Sequence, residues 1–502
     1  MRPATYEPEQ IIEAGLALHQ RADVFAAKAI DVLLRRDRLE HRGEDRPRER
    51  AVLRRDRLQK HPENAGRLRG RASDDGLRDP GADALQAVVV EVGDLQHRLV
   101  DPPRGLDDDH EQAVRGERHE VDVADDGALR HRVLHDGHLA GELREPYATA
   151  VARVNASGLP CLALDIPSGL CADTGRLWGA AVRADLTVTF IALKLGLFTG
   201  AGPDQVGELC FADLQADAAL CAAAPAMAQR LTAGNLQRLP ARPRTTHKGR
   251  CGRLLVVGGE RGYGGAALLA AQSGLRGGAG MVSLATREEH VAGALARCPE
   301  LMVRGLLSSG QLLALLPGHD VLVVGPGLGQ GAWGRSLLTA AAQFEGAQVW
   351  DADALNLLAA GRVQIRAGAV LTPHPGEAAR LLGCSLAEVQ DDRPAAALRL
   401  AQRYQAVVVL KGAGSLVTDG HTLCLCEHGH PAMAGPGLGD VLAGLIGALL
   451  AQGLAALPAS ELAVWLHARA GERLGQAGRG LLASELVGVI RELLEEHSPC
   501  CN

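Results

Sequence analysis

Val321-Leu322-Val323-Val324-Gly325-Pro326-Gly327-Leu328-Gly329 is a short apolar run that ends abruptly in a glycine-rich turn. Apolar at every position rather than every second one, the run suits a strand buried on both faces, the usual situation in a parallel sheet. The same phrase returns on both sides of it. Residues 254–257, 281–285, 348–350, 369–371 and 407–410 are further apolar runs, most of them ending in Gly, Asp or His, with helix-like text between them. From His247 to about Leu494 this alternation predicts a mostly parallel sheet covered by helices on both faces. Ligands in such sheets bind beyond the carboxyl ends of the strands, so the turns that follow the runs are where chemistry is expected.

Composition narrows the function classes. With 502 residues the chain is too long for a single core. Hydrophobic residues at 47% and charged residues at 22% are globular usage. A net charge of -6 gives no electrostatic case for nucleic acid, and aromatics at 3% leave no stacking platform for single strands. The 11 cysteines contain no Cys-x-x-Cys pair, which gives a structural zinc site little support, and their odd count in a long chain points to reduced thiols in a cytoplasmic setting. The first ten residues, MRPATYEPEQ, lack the apolar stretch of a secretory signal. The long apolar run 441–457 contains Gln452 and several glycines and follows a polar turn directly, so it reads as a buried helix, not a membrane span.

Upstream, the text changes character. Residues 1–145 read as a poorly ordered segment. From about 32 onward they are dense in Arg, Asp, His and Glu, and Leu-Arg-Arg-Asp-Arg-Leu occurs twice, at 34–39 and 53–58. Such text cannot bury enough apolar area to offset its backbone entropy. Two readings stay open for it: a loosely ordered solvated segment, or a stretch translated from a shifted frame of GC-rich DNA. The one clear apolar alternation is at 87–92. Residues 146–215 return to α/β text, with strands at 161–165 and 186–191. Residues 216–246 read as a linker, although the alanine-rich 216–233 could form a helix.

The turn Gly435-Pro436-Gly437-Leu438-Gly439-Asp440 leads into the apolar run. Glycines allow close backbone approach to a ligand, and a helix start offers free N–H groups and the positive end of its dipole. An acid beside that anion hole is placed to take a proton from a hydroxyl while a phosphate is held. An ordinary N-cap is the competing reading. Other turns shift the balance: Gly325 to Gly329, Asp351-Ala352-Asp353-Ala354-Leu355-Asn356, Thr372-Pro373-His374-Pro375-Gly376-Glu377 and Lys411-Gly412-Ala413-Gly414-Ser415. Turns at successive parallel strands should converge on one cleft, where Lys411 can meet phosphate as a point charge.

These motifs, with His247-Lys248-Gly249, the glycine-rich 258–266 and Arg276 to Gly280, occur in the order seen in ADP-dependent NAD(P)H-hydrate dehydratase, which the chain resembles over 247–494. The resemblance implies a ribokinase-like C-terminal domain that removes water from the S form of NAD(P)H hydrate, using ADP with Mg²⁺ and leaving AMP and phosphate. It implies Asp440 as acid/base at the hydrated ring, Ala266, Gly327 and His374 lining the dinucleotide, and Lys411, Gly412, Ala413, Gly414, Ser415 and Gly439 at the adenine nucleotide. It also implies a homo-oligomer. The family commonly has small residues where Pro436 stands. Proline removes one N–H but leaves those of Gly437, Leu438 and Gly439, so an anion hole is still expected.

Residues 163–170 and 189–200, with Lys194, resemble the C-terminal part of NAD(P)H-hydrate epimerase, often fused ahead of the dehydratase. This implies a partial Rossmann-like fragment in which Asp165 touches the hydrate and Ser168 helps to hold K⁺. That family's Gly-Asn-Asn-Gly-Gly-Asp-Gly loop occurs nowhere in residues 1–160, so a fragment too small for its own sheet, with little epimerase activity, is expected. Two alternatives remain: a ribokinase-like kinase for a sugar or vitamin alcohol, and a non-catalytic nucleotide sensor. The Gly439-Asp440 pair argues against the second.

Overall fold

The computed structural model describes residues 145–217 and 226–501 continuously, together with 88–92, 122–123, 129–133, 143, 221 and 224. The rest of the segment 1–145, including both Leu-Arg-Arg-Asp-Arg-Leu copies, lies outside the described residues. Two compact units are present. The first comprises Met1–Gly169, Gly179–Ala192 and Val206–Asp217; the second takes Leu170–Trp178, Leu193–Gln205 and Ala218–Asn502.

The first unit holds β1 (Val88–Val92), β2 (Asp122–Val123), β3 (Leu129–Val133), β4 (Cys161–Leu164), β5 (Leu186–Phe190) and β6 (Glu208–Ala212). They form one sheet in the order β2-β3-β1-β4-β5-β6, parallel except for β2. This corrects the expectation of a fragment without its own sheet. The alternation at 87–92 is a central strand, and Leu129–Val133, obscured by Arg130, His131 and Arg132, pairs beside it. Leu162 and Leu164 pack with Leu186, Val188 and Phe190 on one face, while Cys161 packs with Val151 and Val154 of the helix Tyr147–Ala156 on the other.

The second unit holds β7 (Gln229–Arg230), β8 (Arg253–Val257), β9 (Met281–Thr286), β10 (Met302–Gly305), β11 (Val321–Val324), β12 (Ala347–Trp350), β13 (Val370–Leu371), β14 (Val407–Leu410), β15 (Ser415–Thr418) and β16 (Leu423–Cys426). Their order is β10-β9-β8-β11-β12-β13-β14-β15-β16-β7. From β10 to β14 every pairing is parallel; β15 and β16 turn back antiparallel. The expected mostly parallel sheet is therefore present. Alternation along each strand feeds two cores. Leu254, Val256, Val321, Val323, Val407 and Val409 face the helices Gly264–Arg276, Leu438–Ala451, Ala456–Gly475 and Ala483–His497. Leu255, Val257, Leu322, Val324, Val408 and Leu410 face the opposite layer, which includes Ala332–Ala341, Pro375–Leu382 and Arg393–Tyr404.

The apolar run after Asp440 is a buried helix, as expected: Val441 to Leu450 are buried throughout. Among the described residues no helix is long and apolar enough to cross a membrane. Gly444 explains its close packing, because a Cβ there would lie 2.0 Å from the Ala270 carbonyl oxygen of the neighbouring helix. The stretch expected as a linker is partly built into the sheet. Residues 229–230, read as helix, form β7 on β16, and Leu231 and Leu236 are buried in the core. Sequence reading also missed β10, β15 and β16; the last two are short and lie against glycine turns, where no long apolar run announces them.

Candidate active site

The carboxyl ends of β11, β12, β13 and β14 bring the post-strand turns together. Asp351 follows β12 and is fully buried. Its Oδ1 accepts from Lys411 Nζ at 2.8 Å and from the Thr372 hydroxyl at 2.8 Å. Lys411 follows β14 and its Nζ also lies 3.8 Å from Glu377 Oε2. One ammonium is thus held between two carboxylates from different turns. Burial alone would lower the Lys411 pKa, but Asp351 and Glu377 outweigh it and keep the pKa above its ordinary value. Lys411 is a fixed positive charge.

Asp440 approaches this pair from the helix Leu438–Ala451. Gly437 caps that helix at φ +86, a backbone state that favours glycine, and a Cβ on it would press on side-chain atoms, at 2.7 Å from Leu269 Cδ1 and 3.1 Å from Ala483 Cβ. Among the described residues, the amides of Leu438, Gly439 and Asp440 meet no protein acceptor. Gly439 sits against the lysine: a Cβ there would be 3.2 Å from Lys411 Nζ. Burial pushes the Asp440 carboxyl up to about 7, and Asp351 pushes the same way against the pull of Lys411. Burial likewise raises Glu377 to about 7. A carboxyl poised near neutrality, beside a fixed cation and unpaired helix amides, is equipped for proton transfer.

Two buried groups anchor this helix start. His467 Nε2 contacts the Leu438 carbonyl at 3.0 Å, and Ser273 Oγ donates to the Val441 carbonyl at 2.7 Å. Burial depresses the His467 pKa to about 4, so the ring is neutral and donates through Nε2. Neither residue carries a sequence signal; each lies inside a helix whose periodicity speaks only of packing.

The remaining turns are tied to the same place. Gly325, at φ +125, leaves room for the Asp351 carbonyl, which a Cβ would meet at 1.8 Å. Asp353 Oδ2 accepts from the Gly329 amide at 2.8 Å, joining the Gly325–Gly329 turn to the Asp351–Asn356 motif. Ala352 between those acids has φ +49 and ψ -117, an unusual backbone state for a residue with a side chain. Asn356 Oδ1 accepts from Arg380 at 2.8 Å, which links the same motif to the His374–Glu377 helix. Gly327 and Ala266 are neighbours, since a Cβ on Gly327 would be 3.1 Å from that of Ala266.

His374 is an N-cap. Its Nδ1 accepts from the amides of Gly376 and Glu377, at 3.0 and 3.3 Å, while Glu377 accepts from the His374 amide. With Nδ1 accepting, a neutral ring carries its proton on Nε2. Burial, then Lys411 and Arg380, hold its pKa below the ordinary value. The ring is half-exposed, and its Nε2 lies 3.4 Å from Glu377 Oε1.

The structure therefore gathers Lys411, Gly439, Asp440 and His374, with Gly327 and Ala266 joined to them through Asp353. It adds Asp351 and Glu377, which the sequence presented only as members of motifs. Ser415 opens β15, and its hydroxyl donates back to the Gly412 carbonyl at 3.0 Å. Among the described residues no group of three or more His, Cys, Asp or Glu side chains could hold a metal ion. In the first unit, Asp165 has φ +66 at the end of β4, and its Oδ1 accepts from the Phe190 amide at 3.0 Å and the Thr189 hydroxyl at 3.3 Å. Ser168 is buried, and its Oγ has no hydrogen-bond partner among the described residues.

A mostly parallel sheet with an acid at a glycine-capped helix start, beside a strand-end lysine, defines an enzyme of the ribokinase-like class. In agreement, a solved ribokinase-like superfamily protein from Enterococcus faecalis is similar at TM-score 0.52 and 27% identity, covering 55% of this chain and 98% of that one. The NAD(P)H-hydrate dehydratase family model matches residues 254–491, and that of the YjeF-related protein N-terminus matches 100–196. The bifunctional NAD(P)H-hydrate repair enzyme of Coxiella burnetii is 44% identical over 360 residues, 71% of this chain and 74% of the relative. That of Escherichia coli is 44% identical over 356 residues, 70% of this chain and 68% of the relative. The chain belongs to the bifunctional NAD(P)H-hydrate repair enzyme family and carries both a dehydratase and an epimerase-type domain. The epimerase-type match begins at residue 100, well upstream of the expected boundary at 146.

Proposed function

We propose that the second unit dehydrates the S form of NAD(P)H hydrate at the expense of ADP, with Asp440 as the base. Hydroxide is a poor leaving group, and transferring the terminal phosphoryl group of ADP to the hydroxyl oxygen replaces it by phosphate. Asp440 takes the hydroxyl proton as the new P–O bond forms and AMP departs. The C–O bond then breaks, phosphate leaves with that oxygen, and loss of a ring proton restores the reduced nicotinamide. The observation that carries this reading is the position of Asp440. It sits among Lys411, Asp351 and Glu377, on a helix whose first amides meet no acceptor among the described residues, with its carboxyl raised to about 7.

In this reading Gly439 and the turn Lys411, Gly412, Ala413, Gly414 and Ser415 take the nucleotide, and Ala266, Gly327 and His374 line the hydrated dinucleotide. Mg²⁺ fits as an ion that arrives on the phosphates. The acids around Lys411 form no cage for it, but Glu377 and Asp440, raised by burial and by Asp351, would face it. When bound, it neutralises charge on the phosphates.

In the first unit Asp165 would contact the hydrate and Ser168, whose buried hydroxyl lacks a partner among the described residues, would offer an oxygen to K⁺. Two contacts without the missing glycine-rich loop support at most slow interconversion of R and S forms. All eleven cysteines are free, which fits a reducing cytoplasm. Self-association into a homo-oligomer is part of the same proposal.

The test is incubation of the full chain with S-hydrate and ADP, then with ATP in its place, following reduced-nicotinamide absorbance, AMP and phosphate. Equal release of AMP and phosphate with recovered absorbance is expected. ATP-dependent phosphorylation of a sugar or vitamin alcohol, with no response to the hydrate, would select the kinase instead.

A further inference from the structure

Arg393 is among the largest fully buried side chains of the protein, yet it forms no ion pair among the described residues. Only neutral oxygens meet it. Its Nε donates to the Thr199 hydroxyl at 3.0 Å, one terminal nitrogen to Gln390 Oε1 at 3.1 Å, and the other to the Lys411 carbonyl at 3.2 Å. That last nitrogen also lies 3.5 Å from the carbonyls of Leu410 and Gly414. Thr199 in turn donates to the Gly414 carbonyl at 3.3 Å. Burying an unpaired cation is costly, and burial does pull its pKa down to about 10. A lone buried charge of this kind calls for a reason beyond packing.

The reason lies in what the guanidinium backs onto. Gly412 has φ +136, and a Cβ there would lie 3.0 Å from the guanidinium; Gly414 has φ +61, and a Cβ there would lie 2.0 Å from the Phe198 carbonyl. The turn 411–415 is therefore wedged between Arg393 and the backbone at 198–199. Gly412 and Ala413 are exposed on its outer side, and among the described residues the amides of Gly412, Ala413 and Gly414 meet no acceptor. Unpaired backbone donors with a fixed positive charge beside them suit an anionic ligand. Thr199 comes from a stretch that reads as epimerase text but folds into the second unit, where Leu195 is also in the core.

We propose that Arg393, held by Thr199, is a positioning residue that presets the 411–415 turn for ADP, so that a stretch of epimerase-like sequence completes the dehydratase's nucleotide site. This rests on the reading of that turn as the nucleotide turn. Lysine cannot reproduce the fork of donors, and each lost hydrogen bond weakens what depended on it.

The experiment uses the full chain with Arg393→Lys, Thr199→Val and, as a control, Lys411→Met. ADP and S-hydrate are varied separately, and ADP binding is measured by calorimetry. From the loss of one or more such bonds, the KM for ADP should rise roughly tenfold in Arg393→Lys and about threefold in Thr199→Val. The KM for the hydrate and kcat should stay within about twofold, the split expected when only one ligand's binding is lost. A merely structural arginine would instead lower the active fraction, reducing kcat with both KM values unchanged; that result overturns the proposal. Thr199→Val is nearly isosteric, so it remains informative if Arg393→Lys fails to fold. If Lys411→Met weakens ADP binding but neither other variant does, the positioning role is wrong and the nucleotide turn stands. If ADP binding is unmoved in Lys411→Met, the nucleotide reading falls and this proposal with it.

Discussion

The two units carry their candidate site acids in contrasting states. In the second unit Asp440 is surrounded by three charged groups fixed from three separate turns, and each of those turns is tied to another by a named hydrogen bond. In the first unit Asp165 is bound to the backbone and hydroxyl of β5, and the neighbouring Ser168 hydroxyl has no partner among the described residues. A site works when its supporting shell fixes the reacting group in place. By that measure the candidate site of the second unit is assembled, while in the first unit the proposed contacts Asp165 and Ser168 are not joined by any such shell among the described residues.

The widest gap this contrast predicts is between substrates. Given ADP and a mixture of hydrates, the chain should consume the S form completely while the R form persists, as resolved by chromatography. Rapid loss of both forms would place a working epimerase in the first unit and break the comparison.

Next in size is a packing effect confined to the second unit. Gly444→Ala forces a methyl group against the Ala270 carbonyl in the helix pair that carries Asp440. Overpacking of this kind costs about 1–3 kcal/mol. Thermal unfolding should show a lower Tm, with dehydratase activity falling alongside it, because the helix start moves with the helix.

A smaller effect follows from the raised carboxyl of Asp440. Its folded pKa, about 7, is above the ordinary 3.8. The folded state therefore binds that proton more tightly, and the associated stability is full below about 4 and is lost as pH rises through 7. Asparagine cannot show this loss. The Tm of Asp440→Asn relative to wild type should be more favourable at pH 8 than at pH 5 by scanning calorimetry. For the same reason kcat/KM of the wild type should rise through an inflection near pH 7. The smallest effect is a null one: Asp165→Asn should leave ADP-dependent consumption of the S form unchanged, and a clear loss would couple the two units' chemistry.

Much of the second unit was legible because its strands are buried on both faces. Val321–Val324 and Val407–Leu410 announce themselves as unbroken apolar runs, and the turns after them hold glycine at positive φ, as at Gly325 and Gly412. The roles of Asp351 and Glu377 were half-visible, as motif members without a partner, because the lysine that joins them is 60 and 34 residues away in the chain. Ser273, His467 and Arg393 were hidden, since each sits in a helix whose pattern reports burial alone. The first unit was less legible. Leu129–Val133 reads Leu-Arg-His-Arg-Val, three polar residues in a row between apolar ends, so its strand character comes from its pairing with β1 rather than from its own composition. The stretch Leu193–Gln205 reads as part of one domain and folds with the other, which no local pattern can reveal.

The most direct test of the proton-transfer role is a paired measurement on Asp440→Asn: ADP affinity by calorimetry, and turnover of S-hydrate with ADP. Removing a general base costs about 10²–10⁴ in rate, while the helix amides and Lys411 that would hold the nucleotide are untouched. ADP binding close to wild type with turnover reduced by that margin is the predicted result. Turnover within about tenfold of wild type, a difference of roughly 1.4 kcal/mol in the barrier, would contradict it.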